Sequence, residues 1–385
     1  MKILSIETSC DETAVSILEA KKIGQKSKYT VLGNALYSQI KLHKKYGGVY
    51  PFLAKREHIK NLPPLFTECL KEAGMLKKER RSINEKTRST IEENIGKETA
   101  FIEHIEYIYT HYKKPNITAI GVTQGPGLEP ALWTGITFAK ALGAMWNIPV
   151  IPINHMEGHI LSPLLDSKGA LQYPALALLI SGGHTELVYS KKPLSYSVIG
   201  KTRDDALGEA YDKVARMLSL PYPGGPEISR LAEKKRLKEY TAVNWDLPRP
   251  MINTKDFDFS FSGLKTSVLY KVRDKKLTLK QKEEIAKEFE DAITDVIITK
   301  TKKAIELYKP KTLIIGGGVI ANPFIRSQFE KLTNEIGTVK LLIPTKDLST
   351  DNSVMIAIAT FEHIKKNPAL LKRSSSFRAQ GNLSL

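Results

Sequence analysis

Cysteine is scarce in this chain: Cys10 and Cys69 are the only two among 385 residues. So few cysteines exclude the framework of several disulfides that supports many small secreted proteins. No apolar run approaches the roughly 18 residues of a membrane-spanning helix. The first residues, MKILSIETSC, turn polar too early for a signal peptide. We therefore expect a soluble protein of a reducing compartment, the cytoplasm.

Acidic residues are fewer than basic ones: the chain has 41 Asp and Glu and 58 Lys and Arg, which gives a net charge of +17. An excess of this size suggests a polyanionic partner. Lysine-rich usage without any partner explains it equally well, so composition leaves both interpretations open. The apolar fraction of 42% is enough for a buried core in one large or two medium domains.

A pattern of strand, polar turn and two further strands occurs twice, and helix–strand units follow each copy. The strands are predicted at residues 2–6, 14–18 and 29–40, and again at 174–180, 185–189 and 196–200. The repeat predicts a mixed α/β fold of two duplicated lobes, with polar turns that face a shared cleft.

We place the N-terminal lobe at residues 1–165 plus 349–385 and the C-terminal lobe at residues 166–348. Residues 76–116 differ from the rest because charges dominate them, beginning with Lys77-Lys78-Glu79-Arg80-Arg81. We interpret them as a helical, solvent-exposed insertion. A nucleic-acid contact there is the weaker alternative.

Two imidazoles, His155 and His159, are four residues apart. On a helix they project from one face, which suits two ligands of a single metal ion. The alternative is a hydrogen-bonded pair behind a core strand. A zinc protease is disfavoured, because its HExxH motif needs Glu directly after the first His. Met156 holds that place here, and Glu157 should point away from the histidines.

Glycine-rich loops follow predicted strands in two places. Ser181-Gly182-Gly183-His184 lies between strands, and Gly316-Gly317-Gly318 lies between a strand and a helix. Such loops can present backbone N–H groups to a phosphate. Neither is a Walker loop, since Gly-Lys-Ser/Thr is absent, and ordinary turn glycines remain the alternative for each.

Carboxylates also gather at predicted turns: Asp11, Glu12, Asp204, Asp205, Asp212 and Asp351. They are candidate metal or hydroxyl ligands, although surface caps are the ordinary interpretation of each. Asp351 could equally be the N-cap of a helix that begins near Val354. Cys10 is interpreted as structural, because the adjacent carboxylate disfavours a thiolate nucleophile.

Ten short motifs occur in an order typical of one family. They are TSCDET at residues 8–13, YGGVYP at 46–51, GPGL at 125–128, HMEGH at 155–159, SGGHT at 181–185, GEAYDK at 208–213, PGGP at 223–226, FSFSGLKT at 259–266, GGGVIAN at 316–322 and TDN at 350–352. The chain resembles the universal tRNA threonylcarbamoyladenosine transferase family in its bacterial form. The likeness runs from residue 2 to about 360, apart from the insertion.

This resemblance implies an actin/Hsp70/sugar-kinase (ASKHA) fold of two duplicated lobes with an interlobe cleft. It implies transfer of the threonylcarbamoyl group of L-threonylcarbamoyl-adenylate to N6 of adenosine 37 in tRNAs that read ANN codons, with release of AMP. The donor and the tRNA would be the substrates. In bacteria the family works with an inactive relative of the same fold and a small P-loop ATPase.

The resemblance also implies roles for individual residues. By position, a divalent metal, usually iron and sometimes zinc, would be held by His155, His159 and Asp351. Substrate contacts would fall on Ile180, Ser181, Gly182, Gly183, His184, Asp212, Gly225 and Asn322. We add the hypothesis that Asp11 and Glu12 lie near the acceptor amine as catalytic groups. Glu129-Pro130 departs from the family pattern, and the conformation of the loop after GPGL is therefore left open.

Two other functions remain possible on the same fold. An ATP-using kinase or ATPase would need a catalytic aspartate near bound phosphates, and the His-His-Asp set argues against it. A non-catalytic scaffold would be expected to lose the two histidines, which this chain keeps.

Overall fold

The computed structural model describes residues 1–24, 26–96, 98–166, 171–238, 245–372 and 376–385. The chain forms two compact units, of which Met1–Ala170 with Asp351–Leu385 is the first and Leu171–Thr350 the second. Among the helices of the described segments, none has the length and apolar character needed to cross a membrane.

The first unit is built on a five-stranded sheet in the order β3–β2–β1–β4–β5. The strands are β1 (Lys2–Glu7), β2 (Glu12–Ile23), β3 (Lys26–Ser38), β4 (Ala119–Gly125) and β5 (Val150–Asn154). The central strand β1 pairs antiparallel with β2 and parallel with β4. It is buried from Ile3 to Glu7, as expected for a strand covered on both faces.

The described residues of this unit form seven α-helices. They are α1 (Ile40–His43), α2 (Pro51–Glu72), α3 (Glu85–Ile95), α4 (Ile102–His111), α5 (Glu129–Trp146), α6 (His155–Leu161) and, near the C-terminus, α13 (Ser353–Lys366). Helix α5 begins with Glu129 and Pro130. Proline is tolerated in the first turn, because the N–H that it lacks would have no hydrogen-bond partner within the helix there. The departure at this position is therefore accommodated as a helix start.

The insertion at residues 76–116 is helical, as predicted, but the prediction that it is solvent-exposed was wrong for one of its faces. Ile91, Ile95 and Ile105 of α3 and α4 are buried in the hydrophobic core of the first unit. The ring of Phe101, between these helices, lies 5.1 Å from that of Phe138 on α5. The insertion forms amphipathic helices: apolar residues at helical spacing form one face that is buried, and the charged residues lie on the other face.

The second unit repeats the arrangement, with the strand order β8–β7–β6–β9–β10. Its strands are β6 (Ala175–Ile180), β7 (Thr185–Lys192), β8 (Ser195–Lys201), β9 (Thr312–Gly316) and β10 (Lys340–Leu342). All six residues of β6 are buried, which matches their continuous apolar sequence. β6 pairs antiparallel with β7 and parallel with β9, as β1 does with β2 and β4. The predicted duplication is confirmed.

The helices described in the second unit are α7 (Leu207–Met217), α8 (Gly224–Arg236), α9 (Ser262–Val272), α10 (Leu279–Tyr308), α11 (Pro323–Ile336) and α12 (Lys346–Ser349). The longest, α10, begins with a capping box in which Thr278 and Gln281 each accept from the other's backbone N–H. Its apolar residues, among them Phe289, Ile293 and Val296, lie in the core of this unit.

Candidate metal centre and strand-end loops

Helix α6 presents the two histidines of the HMEGH motif. It begins directly after β5, and the Asn154 side chain caps it by accepting from the backbone N–H groups of Met156 and Glu157. His155 and His159 are both buried, and their rings lie edge to face with centroids 4.7 Å apart. The carboxylate of Glu157 instead accepts a hydrogen bond from His363 Nε2 at 2.6 Å. Glu157 is therefore not a base for chemistry at the histidines.

Helix α13 brings Asp351 to the same place. Gly158 of α6 makes this packing possible, because a Cβ there would lie 3.0 Å from Met355 Cγ of α13. The N-cap of α13 is Asn352, whose side chain accepts from the N–H of Met355 at 3.0 Å. The alternative interpretation of Asp351 as the cap is therefore wrong, and its carboxylate is free to face the histidines.

The three side chains converge on one point. Asp351 Oδ1 lies 3.1 Å from His159 Nε2 and 3.4 Å from His155 Nε2. One ligand atom from each residue can be chosen so that all lie within 4.8 Å of one another. Two imidazoles and one carboxylate form a donor set that suits a divalent transition metal and leaves further positions open. The group could hold a metal ion.

The Nδ1 atoms of the two rings have different surroundings. His155 Nδ1 lies 3.1 Å from Glu7 Oε2 and 3.2 Å from the Ser9 hydroxyl. A metal-binding histidine usually donates its second ring N–H to such a carboxylate, which directs the other nitrogen toward the metal. His159 Nδ1 is buried with no hydrogen-bond partner among the described residues. Burial of an unsatisfied nitrogen costs free energy. The buried position of the His159 ring is therefore better explained by a ligand of its Nε2 atom than by any contact of Nδ1.

Glu7 is a site residue that sequence reasoning missed. It ends β1, is fully buried, and accepts hydrogen bonds from the Ser9 N–H at 2.5 Å and from the Thr123 hydroxyl at 2.6 Å. Burial alone would raise its pKa, but the charge and hydrogen bond of His155 lower the pKa below the ordinary value. Its place at the end of the first strand, before the TSCDET turn, was the only signal for it.

Electrostatics within the cluster favour opposite charges on histidine and aspartate. Burial lowers the pKa of His155, yet the negative charges of Asp351 and Glu7 outweigh burial and raise that pKa well above its ordinary value. For Asp351, the charge of His155 overcomes the effect of burial and lowers the pKa. Binding of a cation would therefore displace a proton from His155.

Asp11 and Glu12 follow β1 in the same unit. Burial and then the charge of Asp351 raise the pKa of Asp11. Burial and the negative charge of Asp11 raise the pKa of Glu12 well above its ordinary value.

Burial likewise raises the pKa of the Cys10 thiol well above its ordinary value, with Asp11 adding to the effect. A protonated thiol agrees with the interpretation of Cys10 as structural.

In the second unit, the SGGH turn closes between β6 and β7. Ser181 donates its backbone N–H to the His184 carbonyl at 2.9 Å, and its hydroxyl accepts from the His184 N–H at 3.1 Å. Gly182 and Gly183 are exposed, and no atom would lie within 4 Å of a Cβ on either. Their backbone is thus open to a ligand.

Gly317 lies beside that turn because β9 pairs with β6. Its φ of +92° favours glycine, and a Cβ there would lie 2.5 Å from the Ile180 carbonyl oxygen. The loop after β9 and the end of β6 can pack this closely only without a side chain at this position. The two glycine-rich loops predicted from the sequence are thereby brought together.

Of the remaining predicted substrate residues, Asp212 lies in the middle of α7, whereas Gly225 and Asn322 lie at the starts of α8 and α11. Asp212 on α7 accepts from the backbone N–H of Gly224, at the start of α8, at 2.6 Å. Gly225 follows, with nothing within 4 Å of the Cβ position. Asn322 caps α11 through its Oδ1 and donates from Nδ2 to Glu290 on α10. Glu290, which also pairs with Arg236, is a second contact that the sequence did not reveal.

Asp204 and Asp205 have structural partners instead. Asp204 accepts from the hydroxyls of Ser260 and Ser262 at the start of α9. Asp205 forms ion pairs with Lys213 at 2.7 Å and Lys265 at 2.8 Å. These contacts favour the ordinary interpretation of both carboxylates.

The sequence matches the family model described as tRNA N6-adenosine threonylcarbamoyltransferase over residues 30–83 and 108–358. The chain belongs to this family. A threonylcarbamoyltransferase of Thermosipho melanesiensis is 41% identical over 94% of this chain and 94% of its own length. One of Nitrosomonas eutropha is 38% identical over 100% of this chain and 99% of its own. Residues 84–107, outside the family match, fall within the predicted insertion.

A solved structure supports the fold of this threonylcarbamoyltransferase family member. Full-length HypF, in its phosphate- and nucleotide-bound form, superimposes with a TM-score of 0.54 over 96% of this chain and 47% of that chain, at 11% identity. Together with the repeated strand order, this likeness confirms the predicted ASKHA-type fold.

Proposed function

We propose that this chain transfers the threonylcarbamoyl group of L-threonylcarbamoyl-adenylate to N6 of adenosine 37 in tRNAs that read ANN codons, and releases AMP. The observation that carries the proposal is the convergence of His155, His159 and Asp351 in a chain of this family. In the reaction N6 forms a bond to the carbamoyl carbon, the bond from that carbon to the phosphate oxygen breaks, and N6 loses a proton.

We assign His155, His159 and Asp351 as ligands of one divalent metal, with Fe(2+) the expected ion and Zn(2+) the alternative. Two histidines and one carboxylate with open positions are typical of non-haem Fe(II) sites. A metal bound there supplies Lewis acidity toward carbonyl or phosphoryl oxygens. The buried Glu7 orients His155 for this role through the contact to Nδ1.

The second unit supplies the groups that we propose for the adenylate. Exposed backbone at Gly182 and Gly183 can donate N–H groups to phosphate or carboxylate oxygens. Ile180 ends β6, and Ser181 and His184 belong to the turn that follows it. Asp212 lies in the middle of α7, and Gly225 and Asn322 lie at the starts of α8 and α11 in the same unit. Correct positioning is expected to contribute most of the rate, since adenine N6 is a weak nucleophile.

Asp11 and Glu12 are proposed as the catalytic groups for the acceptor amine. Burial raises the pKa of both carboxyls above the ordinary value. A carboxylate with a raised pKa is a stronger base for the proton that N6 releases. We propose no covalent enzyme intermediate, so neither residue needs to act as a nucleophile.

We further propose two protein partners, an inactive relative of the same fold and a small P-loop ATPase, because the bacterial family that the motifs resemble works with them. The cytoplasm, where the tRNA substrate is found, is the proposed location. We keep residues 1–165 with 349–385 and residues 166–348 as the proposed functional lobes.

The test supplies purified protein with threonylcarbamoyl-adenylate and unmodified tRNA, and measures metal content beside modified adenosine. His155→Ala is expected to lose both, whereas His104→Ala, an exposed histidine of the insertion, should keep both. Activity that survives in a metal-free His155→Ala protein would contradict the metal role. ATP hydrolysis by this chain alone, together with no tRNA modification even after the partners are added, would favour the kinase-like alternative.

A further inference from the structure

Three large aromatic side chains are exposed to solvent in the segment from the end of β3 to the first turn of α2. Tyr46 is 55% exposed, Tyr50 52% and Phe52 67%. The rings of Tyr46 and Tyr50 stack at 5.7 Å between centroids, with their planes 24° apart. Exposed aromatic rings are costly to leave in water, so a group of three suggests a surface that binds something.

The same segment is basic and contains no acid. From Gln39 to Arg56 the sequence has five Lys or Arg residues and no Asp or Glu. Lys41, Lys44 and Lys45 are exposed, and the Lys45 ammonium lies 5.1 Å from the centre of the Tyr46 ring. Lys55 forms an ion pair with Glu98 at 2.5 Å, so the other four basic residues, Lys41, Lys44, Lys45 and Arg56, remain for an anionic partner.

A relay of hydrogen bonds ties this segment to the acidic turn after β1. The Tyr50 N–H donates to His43 Nδ1 at 3.2 Å, and His43 Nε2 lies 3.1 Å from the Gln39 side-chain oxygen. The Gln39 backbone N–H donates in turn to the Asp11 carbonyl at 2.9 Å. A ligand on the aromatic rings would therefore lie on the segment that leads directly to Asp11.

We propose that Tyr46, Tyr50 and Phe52, with Lys41, Lys44 and Lys45, form a contact surface for single-stranded RNA. Nucleobases released from their helical stack bind aromatic faces, and neighbouring lysines neutralise the phosphates. The positive charge complements RNA, whereas an apolar protein partner would not require an acid-free segment. The inference rests on the proposed function for the identity of the RNA, the loop that carries the modified adenosine.

The experiment measures binding of a labelled RNA hairpin, with adenosine in its loop, to the full-length protein by fluorescence anisotropy. Tyr46→Ala combined with Tyr50→Ala should weaken binding by about tenfold or more, because each lost stacking platform contributes to affinity. Tyr46→Phe with Tyr50→Phe keeps both rings and should stay within about twofold of the parent. Tyr270→Ala, an exposed tyrosine on α9, is the matched control and should change nothing.

Salt dependence tests the lysines separately. Replacing Lys41, Lys44 and Lys45 by Gln should reduce the slope of log affinity against log salt by about 2, at about 0.7 per phosphate contact on single strands. Replacement of Lys275 and Lys276, which are exposed in the second unit, should leave the slope unchanged.

Unchanged RNA affinity in the double alanine variant would overturn the proposal and point to a protein contact instead. A loss of affinity equal in the Ala and Phe variants would also overturn it, since stacking would not be the cause. The assignment as a transferase fails separately, if the parent binds the hairpin through these rings and yet never modifies tRNA in the presence of donor and partners.

Discussion

The turns after β1 and after β6 occupy the same place in two sheets of identical strand order, yet they carry opposite chemistry. The first is followed by Asp11 and Glu12 and lies beside His155 through Glu7. The second is Ser181 to His184, with exposed glycine backbone. Carboxylates and imidazoles bind cations, whereas backbone N–H groups bind anions. The duplicated fold thus supplies two equivalent positions, and the side chains at each position decide what binds there.

Removal of a proposed metal ligand in the first unit should have the largest effect. His155→Ala is expected to lose bound metal and to lower transfer by about a thousandfold or more, as for loss of a charge-stabilising group at a reacting centre. Asn322→Ala, in the second unit, should keep the metal and instead raise the KM for the adenylate. Metal analysis and steady-state kinetics measure both. Equal metal loss in the two variants would break the comparison.

Acid should destabilise the first unit before the second, because His43 and His58, whose pKa values burial lowers, both belong to the first. Burial lowers the pKa of His58 to about 4, and the neutral ring donates from Nε2 to the Cys10 carbonyl while Nδ1 accepts from the Thr13 hydroxyl. In the unfolded chain the pKa is about 6.5. Between pH 6.5 and 4 the unfolded state therefore binds more protons, so stability falls as pH falls.

This single group should remove about 3 kcal/mol of folding free energy by pH 4, from a pKa difference of about 2.5. Urea unfolding at several pH values measures it, and His58→Gln should flatten the dependence. His111→Gln, at an exposed position of α4, serves as the control. A pH dependence that survives unchanged in His58→Gln would show that other groups cause it.

The proposed binding of the adenylate by the second unit can be tested through the backbone of its loops. Gly317→Ala should cost about 2 kcal/mol of stability, because a residue with φ of +92° is strained when it carries a side chain. The new methyl would also press on the Ile180 carbonyl. We expect weaker adenylate binding with normal metal content, measured by calorimetry and metal analysis. Gly182→Ala has open space at its Cβ and should retain the parent's stability.

The smallest effect should come from Glu7, which we propose to act on the metal only through its contact with His155. Glu7→Gln can still accept from Thr123 but loses the charge, and about tenfold weaker metal binding is expected, at the lower end for such outer contacts. Cobalt(II) titration followed by visible absorption measures affinity and ligand geometry together. Unaltered cobalt affinity and spectrum would show that Glu7 contributes only to packing.

Local sequence was sufficient for much of the fold. The apolar run at Ala175–Ile180 and the apolar spacing in α10 are visible along the chain, because a strand or helix must bury its own apolar side chains. The insertion shows where this fails. Its many charged residues hide the apolar pattern of Ile91, Ile95 and Ile105 in the sequence. Whether such an apolar stripe is buried depends on which element packs against it, and the local sequence does not show this.

The candidate site divides in the same way. The sequence by itself determined that His155 and His159 share a helical face, because i and i+4 residues always do. It also determined the small residues at both strand-end loops and, through ten ordered motifs, the family. Only the tertiary structure decided that Asp351 faces the histidines while Asn352 caps the helix, and that Glu7 supports His155 from 148 positions away. Those contacts depend on how β1, α6 and α13 pack, and packing joins residues whose separation along the chain carries no local signal.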